Sequence, residues 1–374
     1  MTIKNCLNKF KDWRFSTYAM HSIDGMAGGL VGIFIPIYFL SIGYSVSQIF
    51  IFFIFNNFSI LIFFFVASWF AKNFSLVKTL FVRLLFLALN LFFLYNLKTW
   101  PSFFYLISIL NAIELAFYWF PLHVVFAKSA ESETMGEHVS KLFALPSLVG
   151  IIIPLIGAGI STLLGFKALF IAAGIIYLIS IVPFLFVGNI PIEVKINFRK
   201  IIDYSRRYKK YFVAEFFLGI SGEIEAYILP IFLFLTFNNI LSIGFLATLL
   251  GLGSAIFTLL VGKYSSRIEK RKFLRVGAVI MIVIWIGRYL SIDQTSFYIL
   301  SILAGFLSAL ISVPFNSIFY INAKNNHVED FVIFREVPIS LGRIILYGAG
   351  LLFVSQIKIS FLLSAIPYVF LLFF

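Results

Sequence analysis

Four carboxylates lie deep in segments that are otherwise apolar: Asp24 in HSIDGMAGG, Glu114 in NAIELAFYWF, and Glu223 and Glu225 in SGEIEAYILPIF. A charge at the centre of a bilayer costs at least about 2.5 kcal/mol, so such a group faces a polar cavity or a partner. Buried carboxylates have two uses. Burial raises their proton affinity toward the neutral range, where they can take up and release protons, or they hold a cation directly. His21, one turn before Asp24, adds an imidazole to the same helix face. It reads as a proton relay with Asp24 and Glu114, as a divalent-metal ligand beside them, or as a histidine solvated at a cavity mouth. Asn111 shares the face of Glu114, and Asn316 brings polarity to a later segment. At about 100° per residue, Glu223 and Glu225 point roughly 160° apart. Glu223 shares its face with Gly219, Ala226 and Pro230 and is the expected cavity residue, whereas Glu225 is expected to meet a neighbouring helix.

These side chains need a membrane around them. Of the 374 residues, 61% are hydrophobic, 12% are charged and 49 are Phe, which no soluble domain can bury. Mean hydropathy is +1.03. A bilayer core asks for about 20 apolar residues per helical span. The sequence divides into twelve, near 16–41, 46–70, 77–97, 102–127, 143–164, 168–188, 212–236, 240–262, 273–291, 297–321, 337–356 and 359–374. With the N-terminus inside, 23 Lys and Arg fall on inside segments and three, Lys98, Lys167 and Lys358, on outside loops. That asymmetry puts both termini in the cytoplasm, in the inner or plasma membrane. The basic first residues precede an apolar run too long for a cleaved signal, so it is expected to be a retained span. The net charge of +13 fits this topology beside anionic inner-leaflet lipid, with no nucleic-acid partner. The lone Cys6 excludes a disulfide framework and a cysteine-based metal motif. No His box, phosphate-binding Gly-rich loop or nucleophile-plus-base motif is present, and the outside loops are too short for a catalytic domain, so the chain is not expected to be an enzyme or to carry a cofactor or metal.

The sequence also repeats. Setting Pro36 against Pro230 aligns DGMAGGLVGIFIPIYFL with LGISGEIEAYILPIFLF, and the same offset carries the connection after the second span onto that after the eighth. Pro121 matches Pro314 at nearly the same offset. The expected fold is therefore an all-α polytopic membrane protein of twelve spans in two pseudo-symmetric six-helix bundles. Residues 1–190 form the first bundle, 191–211 a basic cytoplasmic linker, and 212–374 the second.

Twelve spans in two like halves, a basic central loop (KINFRKIIDYSRRYKKY), and basic turns after the second span of each half resemble the major facilitator superfamily. Gly262, Ser266, Arg267, Glu269, Lys270 and Arg271 follow that family's turn pattern in part, with Ser for its Asp. Gly150, Pro154, Gly157 and Gly159 resemble the pattern its exporters carry in the fifth span, which also serves close helix packing. The resemblance implies a central cavity lined by spans 1, 4, 7 and 10, and all four deep acids fall on that set. Arg83 and Arg288 lie on spans 3 and 9, so the cavity is expected to be net negative. It further implies gating by the loops, with Lys72 paired to Glu336, Arg267 or Arg271 paired to Glu133 or Glu137, and Arg343 near the start of span 11. The implied activity is secondary transport of a small molecule, coupled to protons, with efflux of a cationic or amphipathic compound ahead of nutrient import or lipid translocation. A non-transporting membrane sensor or assembly protein is the reading of another class.

Overall fold

The computed structural model describes residues 12–188, 192, 198–264 and 269–374. Among them, eleven helices are long and apolar enough to cross a membrane: Trp13–Ser41, Val46–Asn73, Leu76–Asn96, Pro101–Ser129, Met135–Leu163, Phe166–Phe186, Lys209–Phe237, Ile240–Tyr264, Lys270–Leu290, Gln294–Lys324 and Val354–Leu371. Val328–Gly350 is a twelfth helix of similar length but with more charge. In chain order these are spans 1 to 12, with Val328–Gly350 as span 11. The all-helical polytopic fold expected from hydropathy is the fold observed.

Local sequence explains where the spans start and stop. Asp12 caps span 1 by accepting from Arg14 N–H, Ser45 and Gln48 form a reciprocal capping box on span 2, and Asp293 caps span 10 through Ser296. Asn238, in the left-handed conformation at φ 48°, ends span 7. Span 11 begins nine residues before the expected 337, because hydropathy drops at charges that are satisfied by protein here. Glu329 and Asp330, each 3% exposed, pair with Lys128 and Lys200 at 2.6 and 2.8 Å. Span 5 likewise begins at Met135 rather than 143, and it breaks at Gly150 between Pro146 and Pro154.

Spans 1 to 6 pack mainly among themselves, as do spans 7 to 12, and the groups meet along spans 2 and 11 and spans 5 and 8. Gly244 permits the second seam: a Cβ there would lie 2.5 Å from Ala158 Cβ. At the basic end, Lys128–Glu329, a 2.7 Å hydrogen bond between His123 Nδ1 and Tyr320 OH, and a Lys324 bond to the Ala130 carbonyl join the halves. At the opposite end Phe53 stacks on Tyr347 with ring centres 5.0 Å apart, and Ile35–Ser41 meets Leu229–Phe237. Polar cavities lie between these two sets of contacts. Span 7 reaches them through a π-helical turn, Ile224–Ile228, directly after Glu223. Such turns are rare and concentrate at functional sites.

Candidate functional site

In the first half, one guanidinium holds two acids. Arg83 Nη2 lies 2.6 Å from Asp24 Oδ1, and its Nε donates to Glu114 Oε1 at 2.5 Å. Arg83 is 1% exposed, Asp24 8% and Glu114 5%. Beneath the guanidinium, 4.0 Å from its carbon, sits the ring of Tyr118, whose hydroxyl is 2.5 Å from His21 Nδ1. Ser180 donates weakly to Asp24 at 3.4 Å. A cavity of about 310 Å³ opens on this group, with Asn90, Asn111, Tyr177 and, from the other half, Tyr227 also in its wall. Asn111 accepts from Asn56 at 2.9 Å. His21 therefore reaches the carboxylates through Tyr118. Among the described residues no three His, Cys, Asp or Glu side chains converge as a metal would require.

In the second half, each span 7 carboxylate has its own arginine. Glu225 receives two bonds from Arg288, at 2.5 and 3.1 Å, and Arg288 also donates to Ser301 at 3.2 Å. Glu223 accepts from Tyr347 OH at 2.6 Å and lies 3.1 Å from Arg343, which reaches Asn57 of span 2 at 3.5 Å. Glu215 accepts from Arg335 at 2.7 Å and from Tyr211, and Arg335 donates to Asn316 at 3.0 Å. A second cavity of about 330 Å³ is lined by Glu215, Glu225, Asn316, Arg335 and Arg343.

This geometry amends the expected site in three ways. First, Arg83 joins the cavity from span 3, so two acids and one base face it, not carboxylates alone. Second, Glu225 does meet a neighbouring helix, span 9, yet it also lines the second cavity, whereas Glu223 is buried against span 11 and lines neither. Their divergence follows from helical geometry, but the period could not say which neighbour each would meet. Third, the Lys72–Glu336 pair does not form. Lys72 is exposed, and Glu336 faces inward and accepts from Ser340 at 3.1 Å. Lys128–Glu329 occupies the corresponding place between the halves. Arg343, expected at a gate, pairs with Glu223 instead. Arg271 is exposed and forms no ion pair with Glu133 or Glu137, and Arg267 lies outside the described residues. Sequence reasoning set Arg335 at the gating start of span 11 rather than beside Glu215 and Asn316, and it missed Tyr177, Tyr227 and Tyr347. An arginine within a span was itself the available signal, since each of Arg83, Arg288 and Arg343 is beside a deep acid.

The sequence pattern of one protein family, the Major Facilitator Superfamily, matches residues 17–206. No curated protein sequence matches the chain. Many solved structures are similar to it in fold, three of which are described. The human organic anion transporter MFSD10 (TETRAN) gives a TM-score of 0.69 at 14% identity, covering 97% of this chain and 99% of that one. FucP in the outward conformation gives 0.69 at 13% identity, covering 98% of each chain. A second structure of that protein, the E. coli fucose:proton symporter, gives 0.67 at 13% over 98% of each.

Proposed function

Because the chain belongs to the major facilitator superfamily, a group of membrane transporters rather than enzymes, we propose that it exchanges protons for a cationic or amphipathic small molecule and drives that compound outward. Membership of that family makes it a multi-pass secondary transporter; the coupling and the cargo are our reading. One observation carries that reading: Asp24 and Glu114 share the single guanidinium of Arg83 on the wall of a cavity. One carboxylate charge is left over, and either a proton or a bound cation can balance it. Mutual exclusion of the two at one group is what exchange requires. His21 and Tyr118 offer a hydrogen-bonded route toward the basic end, which the positive-inside asymmetry assigns to the cytoplasm of a cell membrane.

Proteoliposome flux tests this, with tetraphenylphosphonium and ethidium as cation probes. An acidic lumen drives their uptake, and collapsing the pH gradient abolishes it. A second reading, proton symport of a neutral polar solute, is favoured by Asn90, Asn111, Tyr118, Tyr177 and Tyr227 in the same wall. Accumulation of a sugar probe along the proton gradient, without cation exchange, would select it. If neither probe class moves, the exchange reading fails and a non-transporting role gains.

A further inference from the structure

Five cationic side chains, Arg207, Lys209, Lys210, Lys270 and Arg271, line one pocket of about 630 Å³ at the basic end of the second half, against one acidic side chain, Glu269, and the backbone end at Phe374. None of the five makes an ion pair with a described residue: Lys210 lies 3.5 Å from the Phe373 carbonyl, and Arg207 stacks 5.6 Å above Tyr208. Two other cations at this end, Lys128 and Lys200, are matched by Glu329 and Asp330. Spans 7 and 9 both begin at this pocket, and neither start has a side-chain cap. Their positive dipole ends add to the same field. Concentrated, unmatched positive charge around a concave space is the chemistry of an anion site.

We propose that this pocket binds a phosphate-bearing anion, the group shared by an anionic phospholipid headgroup and a free phosphate ester. Its position, where spans 7, 9, 10 and 12 reach the basic surface, is at the level of headgroups. Only the naming of the leaflet as cytoplasmic rests on the proposed orientation. The binding reaction is independent of the transport reading.

The test measures lipid retained by the purified full chain in neutral detergent, by native mass spectrometry, after incubation with phosphatidylglycerol or phosphatidylcholine. Removing two of the five cations in K210Q/K270Q weakens phosphatidylglycerol binding about 30-fold, about 2 kcal/mol at roughly 1 kcal/mol per basic residue. The control R206Q/K272Q removes equal charge from the same surface outside the pocket and changes binding less than about threefold, the screened effect of a distant charge. K210R/K270R keeps binding, which separates charge from misfolding. Inorganic phosphate that displaces the lipid assigns the site to free phosphate esters as well, and failure to displace assigns it to lipid. Equal losses in the two Gln doubles, or equal retention of phosphatidylcholine by the unmutated chain, would overturn the site.

Discussion

The two halves solve the same electrostatic problem differently. In each, an acid on the first span of the half meets an arginine on the third and a polar group on the fourth: Asp24, Arg83 and Glu114 in one, Glu225, Arg288 and Ser301 in the other. The same spans of each half are used but not the same positions, since the internal repeat sets Glu225 opposite Val31 and Arg288 opposite Leu94, and the clusters differ in their last group. A carboxylate there leaves the first half one negative charge in excess, while a hydroxyl leaves the second half's cluster neutral. Span 7 then adds Glu215 and Glu223, each with a further arginine from span 11. A duplicated scaffold thus carries two acids on one shared guanidinium on one side and, on the other, three acid–arginine pairs beside Glu336, an inward carboxylate held by Ser340. The lesson is that counting acids on cavity-lining spans overstates the cavity's charge unless the arginines of the spans behind them are counted too.

The largest effect is expected at Arg83. Arg83→Gln strands two buried carboxylates, and breaking a buried pair in this way costs about 3–5 kcal/mol. Yield and thermal stability in detergent fall together, and Asp24→Asn/Glu114→Gln in the same chain restores folding but not pH-driven flux. If Arg83→Gln is as stable as the unmutated chain, the two acids are not both ionised and the contrast between the halves is lost.

Next comes the matched pair. Arg288 is fully buried and doubly bonded to Glu225, so Arg288→Met alone costs about 3 kcal/mol or more, whereas Arg288→Met/Glu225→Leu recovers most of it. Because this pair is read as structural, the double variant keeps pH-driven flux within a few-fold. Flux abolished in a stable double variant would move the coupling role to the second half.

Packing between spans 7 and 11 is a smaller lever. A Cβ on Gly342 would lie 2.2 Å from the Phe216 carbonyl oxygen, so Gly342→Ala forces the helices apart at a cost of about 1–3 kcal/mol. Gly348, on the same helix, has open space around its Cα, and Gly348→Ala leaves the melting temperature unchanged or raises it. The smallest effect is at Lys72: exposed and outside any ion pair among the described residues, it tolerates Lys72→Gln, while Lys128→Gln removes an ion pair from the buried Glu329 and loosens the seam between the halves.

Much of this architecture was legible in the sequence. Hydropathy located every span because lipid imposes one rule along the whole chain, and the repeat set Glu225 opposite Val31, marking the acids of span 7 as an asymmetric addition. Hydropathy failed at the start of span 11, where protein rather than lipid surrounds Glu329 and Asp330. Residue periodicity gives the direction of a side chain from its own helix but not the identity of the helix opposite. That is why Arg83 was set outside the cavity, Arg343 was set at a gate, and Lys72 was paired with a glutamate that faces inward.

The central claim is that the spare carboxylate of the first half is the group that exchanges a proton. Infrared difference spectroscopy of the purified protein, recorded as the pH is varied, reads carboxyl protonation directly. The account predicts a carboxyl band that changes with pH, disappears in both Asp24→Asn and Glu114→Gln, and persists in the stable Arg288→Met/Glu225→Leu variant. A band that survives both first-half substitutions and vanishes with the second-half pair would contradict it.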